Sequence, residues 1–183
     1  TRATPSATAA AATARPTARA TWVSRALGMT SLAVRTSSGT QEAMARAAAQ
    51  HEVARLMRAS EVTPDDLLAA AGYLFVGPEN LATLSGEMKE MFDANYYPVL
   101  GQIEGRPYAT IIAAGSDGEG AQRQLDRIAT GWRLKRVADP MIVNFDAQTP
   151  EAILAPKSPS NNVLRDCREL GQALGEGLEL GLF

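Results

Sequence analysis

Three short stretches of this 183-residue chain carry residue types that could hold a ligand. The first is Arg35-Thr36-Ser37-Ser38-Gly39-Thr40-Gln41, set between an apolar run at 31–34 and an amphipathic helical pattern over about 42–50. Strand, hydroxyl-and-glycine loop and helix are the parts that grip a phosphate. Backbone N–H groups face into the loop, the helix N-terminus adds about half a positive charge, and hydroxyls donate further bonds. The same residues also suit a plain Ser/Thr-rich cap of a helix N-terminus. The second stretch is GYLFVGPENLATLSGEMKEMFD, over 72–93, and the third is Gly115-Ser116-Asp117-Gly118-Glu119-Gly120. Glycines in such loops let backbone come close to a planar ligand. Each stretch follows a strand-like run, so in an open α/β sheet all three would lie beyond the carboxyl ends of the strands, where ligands bind.

Other chemistries have little to work with. A single cysteine, Cys167, excludes an internal disulfide and a multi-cysteine metal site. It falls on the apolar stripe of the last helical pattern, which reads as packing. A single histidine, His51, lies between two elements as a connector and leaves little room for a Ser-His-Asp machine or a His-rich metal centre. No side-chain acid, base or metal ligand is therefore expected in a catalytic role. The formal net charge is −2, which does not suit a general nucleic-acid or anionic-membrane binder. No apolar stretch approaches the roughly 18 residues needed to span a bilayer.

The elements that must position the three loops follow from periodicity. Residues 73–76 form an apolar run after Gly72 that suits a strand buried on both faces. A break is expected at Gly77 and Pro78, because proline lacks an N–H and biases its predecessor away from the helical region. A loop over 79–83 would follow. Helical spacing then places Leu84, Met88, Met91 and Phe92 on one face. Further strands are expected at 31–34, 53–57, 108–114 and 141–145. Thr63-Pro64-Asp65-Asp66 marks a helix start, with a capping hydroxyl, proline at the first position and acids in the first turn. Thr149-Pro150 opens a helical turn, and a last helix is expected from about 163 to 178. Gly131-Trp132-Arg133-Leu134-Lys135-Arg136 reads as a solvated basic turn. Five strands alternating with helices predict an α/β fold, a parallel sheet covered on both faces. With ligand-type loops at one edge, the expected order is the flavodoxin-like 2-1-3-4-5.

Residues 1–28 differ from the rest. They are rich in Ala, Thr and Arg and hold no Asp or Glu. That is the composition of an organellar transit peptide. It is also what translation upstream of the true start gives in a GC-rich gene, and Met29, directly before the first strand-like run, favours this second account. Either way disorder is expected there. The chain is thus divided into an extension, 1–28, and one domain, 29–183.

The segment GPENLATLSGEMK resembles the second flavin-binding loop of the flavodoxin-like NAD(P)H-dependent FMN reductases and quinone reductases. There a Pro-Glu-Asn/Tyr turn follows the third strand and a Ser-Gly opens the next helix before a Lys. Loop one resembles the flavodoxin phosphate loop, a Thr/Ser-x-Thr/Ser-Gly-x-Thr pattern, with Gln41 where a final hydroxyl is usual. The resemblance spans Met29 to the C-terminus. It implies FMN as cofactor, held at the phosphate by Thr36, Ser38, Gly39, Thr40 and Gln41. Pro78, Glu79, Asn80 and Leu81 would flank the isoalloxazine, with Ser85 and Gly86 at the next helix N-terminus. Gly115, Ser116, Asp117 and Gly118 would close the pyrimidine side with backbone donors. The implied activity passes hydride or electrons from NADPH or NADH, through FMN, to a quinone-like or flavin acceptor. Two alternatives stay open: an FMN electron carrier without its own NAD(P)H turnover, and a flavin-free binding or structural relative. The resemblance also implies a homodimer, with Tyr96 and Tyr97 either at a subunit contact near the flavin edge or in the core. A cytoplasmic location is expected, or an organellar one if residues 1–28 are a transit peptide.

Overall fold

The computed structural model describes residues 30–37 and 39–183. The expected extension over 1–28, and Ser38 of loop one, lie outside the described residues. The elements are β1 (Ser31–Arg35), α1 (Gly39–Ala48), β2 (Ala54–Arg58), α2 (Pro64–Ala69), β3 (Gly72–Asn80), β4 (Thr83–Leu84), α3 (Gly86–Val99), β5 (Pro107–Ala114), α4 (Glu119–Gly131), β6 (Lys135–Arg136), β7 (Met141–Asn144), α5 (Pro150–Leu154) and α6 (Asn161–Glu179). β1, β2, β3, β5 and β7 are parallel neighbours in the order β2-β1-β3-β5-β7. Counted without the two-residue β4 and β6, this is the expected 2-1-3-4-5 order. The first crossover runs outward from β1 to β2. The second returns past β1 to β3, and later ones continue the opposite way. Right-handed crossovers therefore place α1 on one face and α2, α3 and α4 on the other.

Each face has its own core. On the α2, α3 and α4 side, Leu32, Val34, Tyr73, Phe75 and Ile112 from the sheet pack against Leu67, Met88, Phe92, Leu125 and Trp132. The aromatic rings run in sequence: Phe75 to Phe92 at 5.1 Å, Phe92 to Trp132 at 5.3 Å and Trp132 to Tyr96 at 5.9 Å between centroids. Such pairs add to their simple area burial. On the α1 and α6 side, Ala33, Leu74, Val76, Ile111 and Ala113 meet Met44, Ala45, Cys167, Leu174 and Leu178. Burial pushes the Cys167 thiol up to about 11, so it behaves as packing, as its place on the stripe implied.

Five local expectations are corrected. β3 does not break at Gly77 and Pro78 but runs on to Asn80, still paired with β5 through Pro78↔Ala113. Its partner β1 ends at Arg35, opposite Val76, so at Gly77 and Pro78 the β1 side of β3 is a free edge. A free edge is where a strand tolerates proline. The expected loop over 79–83 is a hairpin, with Asn80 opposite Thr83 and only Leu81 and Ala82 at the tip. Helix α1 starts at Gly39 rather than at Glu42, so half of loop one is its first turn. Helix α3 continues through 95–98 to Val99, with Pro98 in the last turn where its missing N–H removes only one terminal bond. The tyrosines thus lie at the far end of α3 from the carboxyl edge of the sheet. Tyr96 stacks on Trp132, while Tyr97 is exposed. Trp132, expected in a solvated turn, is fully buried and donates its indole N–H to the Tyr96 carbonyl.

Two predictions follow from this packing. A Cβ at Gly171 of α6 would meet the Ala48 carbonyl oxygen at 1.8 Å, so α1 and α6 approach as closely as they do because position 171 has no side chain. Gly171→Ala raises helix propensity, yet it should destabilise the protein by about 1–3 kcal/mol through overpacking, read as a lower urea midpoint. At the start of α2, Asp66 accepts from the Thr63 amide and hydroxyl and from Arg55. Burial pulls its carboxyl up, but these bonds outweigh it and hold the group below the usual carboxylate range. A depressed folded-state pKa gives stability that is present above the unfolded pKa of about 3.9 and lost as pH falls through the folded value. Asp66→Asn should therefore lower stability at pH 7 and flatten the acid limb below about pH 4, measured as melting temperature against pH.

Candidate functional site

The carboxyl edge of the sheet holds a cleft of about 240 Å³ where the strand order reverses, between the β1 and β3 connections. The three stretches singled out by type and spacing converge there. Thr40 and Gln41 enter from the first turn of α1, Pro78, Glu79 and Asn80 from the end of β3, and Gly115 from the end of β5. A larger hollow, about 360 Å³, lies at the opposite pole beside Arg106 and Phe183. Its charged groups are already engaged: the Arg106 guanidinium donates to the carbonyls of Leu67, Leu68 and Ala70 and so closes the C-terminus of α2, and Glu104 pairs with Arg133. Of the two, the carboxyl-edge cleft is the one with unpartnered polar atoms on or next to its lining among the described residues.

Those groups belong to loop one. Thr36 and Gln41 are buried, and among the described residues neither the Thr36 hydroxyl oxygen nor the Gln41 side-chain carbonyl has a hydrogen-bond partner. The Nε of the buried Arg35 is also unpaired, although this guanidinium faces Glu42 at 3.5 Å. Buried polar groups without partners are costly in a finished interior, and their concentration at one helix N-terminus suits a bound polar ligand. Apart from its chain neighbours and its own helix backbone, a Cβ at Gly39 would meet nothing within 4 Å among the described residues, and the same holds at Gly86. Space beside the backbone is open at both. The Thr40 hydroxyl is turned away, donating to the Lys157 carbonyl at 2.8 Å.

Loops two and three are tied to each other. The Glu79 carboxylate accepts from the amides of Gly118 (2.7 Å), Gly120 (3.1 Å) and Ala121 (3.2 Å). It thereby satisfies the N-terminus of α4, which has no side-chain cap of its own. Gly118 adopts φ +94°, and a Cβ there would meet Ile142 at 2.4 Å, so this position requires glycine. Ser116 and Asp117 are exposed, and the Ser116 carbonyl accepts from the Asn144 amide. Ser85 is buried as the N-cap of α3, accepting from Met88 N–H at 3.3 Å, and Gly86 begins that helix. Leu81 stands on the hairpin tip, fully exposed, with φ +51°, followed by Ala82 at φ +60°. A two-residue turn with both φ positive favours Asn and Gly, so this tip carries strain.

Some contributors carried no local signal. Glu87 read only as part of a polar helix face, yet it accepts from the Ser37 amide (2.9 Å), the Ser37 hydroxyl (2.8 Å) and the Ser60 hydroxyl (3.3 Å). Phe145, Ala147, Ile153 and Lys157 reach the cleft from the segment between β7 and α6. The Lys157 ammonium closes the end of α5, donating to the carbonyls of Ala152, Ile153 and Ala155. Lys157 had no pattern around it to single it out. Among the described residues there is no cluster of three or more metal-ligating side chains, and no helix is long and apolar enough to cross a membrane.

Removing the Glu79 charge should loosen loop three. Glu79→Gln retains one acceptor but loses the charge–dipole contact, and a cost of about 1–2 kcal/mol is expected. Faster hydrogen exchange at the Gly118 and Gly120 amides, together with a lower melting temperature, would be the signature. Unchanged exchange there would contradict this role.

No protein-family profile matches the chain. It is 28% identical over 127 residues to a flavodoxin from Aquifex aeolicus (strain VF5), a match covering 67% of this chain and 68% of that protein. Among solved structures it is similar to a flavodoxin from the domain Archaea, with a TM-score of 0.67 at 16% identity over 82% of this chain and 99% of that one. It is equally similar to a flavodoxin, WrbA-like protein from Agrobacterium tumefaciens, with a TM-score of 0.67 at 17% identity over 82% and 98%. The sheet order, the place of the loops and these similarities show that the chain has a flavodoxin-like fold.

Proposed function

We propose that this chain binds FMN in the carboxyl-edge cleft and works as a flavin-dependent oxidoreductase. The observation that carries the reading is loop one. Two buried polar side chains, Thr36 and Gln41, lack partners among the described residues at a helix N-terminus beside an open Gly39, and Gln41 lines a cleft that two further loops border. The residues fit a phosphate-bearing ligand there, because a hydroxyl, a carboxamide and the N-terminus of α1 can all donate to it.

In this reading Thr36, Ser38, Gly39, Thr40 and Gln41 hold the phosphate end. Pro78, Glu79, Asn80 and Leu81 border the ring system from loop two, Ser85 and Gly86 lie at the following helix start, and Gly115, Ser116, Asp117 and Gly118 border it from loop three. FMN would supply the hydride and electron chemistry. The chain supplies binding, orientation and fixed dipoles, and no side-chain acid or base is assigned a proton. Because Glu79 holds the Gly118 amide, the backbone of loop three is already organised, which favours electrostatic preorganisation over induced fit. The Pro78-Glu79-Asn80 and Ser85-Gly86 pattern, which resembles the reductase version of loop two, supports NADPH or NADH as electron donor and a quinone-like or flavin acceptor. Similarity to a flavodoxin supports a second reading, an FMN electron carrier without its own NAD(P)H turnover.

Absorption spectroscopy tests both. Purified protein, mixed with FMN and freed of unbound flavin, should keep bands near ~375 and ~450 nm. Bleaching of these bands by NADPH or NADH under nitrogen is the outcome expected of a reductase. Retained colour without bleaching would favour the carrier, and loss of all colour would overturn the flavin assignment. Light scattering of the loaded protein tests the homodimer that belongs to the same proposal.

A further inference from the structure

Loop one is already in contact with an anion that belongs to the chain. The Glu87 carboxylate takes the amide and the hydroxyl of Ser37 through one oxygen and the hydroxyl of Ser60 through the other. Among the described residues no cation forms an ion pair with it. Burial raises its pKa, but the bonds from Ser37 and Ser60 prevail and hold the group below the usual carboxylate range. An amide and hydroxyls converging on an oxyanion make the kind of donor set that a phosphate would use. Ser37 directly follows Thr36, whose hydroxyl is unpartnered among the described residues, and lies two positions before the start of α1 at Gly39. A phosphate held by this loop would therefore face a like charge and find the Ser37 donors occupied.

We propose that Glu87 competes with the flavin phosphate for loop one, and so is a specificity-determining residue that narrows the preference of the cleft for FMN over riboflavin. The inference rests on the flavin reading above and deepens it. FMN must displace Glu87 from Ser37 or accept its repulsion, whereas riboflavin, which ends in a neutral hydroxyl, meets neither cost. The balance of charge around the loop supports this. Arg35 is committed to Glu42 and the Thr36 carbonyl, and the Lys157 ammonium to the end of α5. Neither pairs with Glu87.

The test measures FMN and riboflavin affinities by flavin fluorescence for the native chain, Glu87→Gln and Ser60→Ala. Glutamine can still accept from Ser37 without the charge. Ser60→Ala weakens the hold on Glu87 without touching loop one. Glu87→Gln should tighten FMN by at least about tenfold, the size of one charged hydrogen bond, and leave riboflavin within about threefold. Ser60→Ala should shift FMN in the same direction by less. Equal changes for both flavins, or none for FMN, would overturn the proposal. If neither flavin binds any variant, the flavin reading has failed, and thermal stabilisation by inorganic phosphate then decides the role of Glu87. Stabilisation confined to Glu87→Gln upholds the competition, and stabilisation of both chains alike, or of neither, removes it.

Discussion

Everything in this structure depends on β3 being buried on both faces. Tyr73 and Phe75 point into one core and Leu74 and Val76 into the other, and all four are at most 2% exposed. A strand with no polar face must be covered on both sides, so it sits in the middle of a sheet with helices above and below. Parallel pairing to β1 on one side and β5 on the other follows. Parallel neighbours in turn need crossovers, and each crossover returns the chain to the same end of the sheet. That is why every strand delivers its following loop to one edge. The carboxyl edge thus gathers residues more than a hundred positions apart, Thr40 and Lys157 among them.

The cleft opens where the pairing of β3 becomes one-sided. β1 stops at Arg35, opposite Val76, while β3 stays paired with β5 as far as Pro78. A gap forms between the start of α1 and the extended end of β3, and the unpartnered polar atoms of loop one lie at that gap. Two carboxylates organise its borders. Glu79 fastens loop two to loop three, and Glu87 fastens the start of α3 to loop one. Both meet backbone amides near helix N-termini, where a negative charge is favoured. Their consequences for a ligand differ. Glu79 preorganises backbone, which lowers the ordering cost of binding, whereas Glu87 stands on donors that an anionic ligand would want.

The two cores are built by different means. The α2, α3 and α4 side relies on large aromatics in offset contact. The α1 and α6 side relies on small residues, with Gly171 admitting Ala48 at close range and Gly175 lying against His51. His51 is thereby half-buried in a packing role, 3.8 Å from Glu179, and not at the cleft. The buried pair of Thr110 and Gln122, bonded at 2.8 Å, continues through Asp126 to Tyr108 and Arg136 and ties α4 to the sheet.

The order of the sheet and the edge at which the loops gather were legible in the chain alone. Both follow from short-range patterns: apolar runs of strand length, helical spacing of Met88, Met91 and Phe92, and glycine-containing breaks between them. The capped start at Thr63 was legible for the same reason, since a capping box is complete within four residues. What the tertiary structure decided depends on partners distant in sequence. Whether Pro78 ends a strand depends on where β1 stops. Whether Trp132 is solvated depends on Phe92 and Tyr96, thirty-six to forty positions earlier. The commitments of Glu79 to α4 and of Glu87 to loop one span 39 and 50 residues, and a lone glutamate on a polar face looks the same locally whether it faces water or fills an amide cradle. Local pattern reports which surface a residue belongs to. Only the packed chain sets which long-range donor a charge will meet, because that contact is formed by the crossovers and not by the segment that carries it.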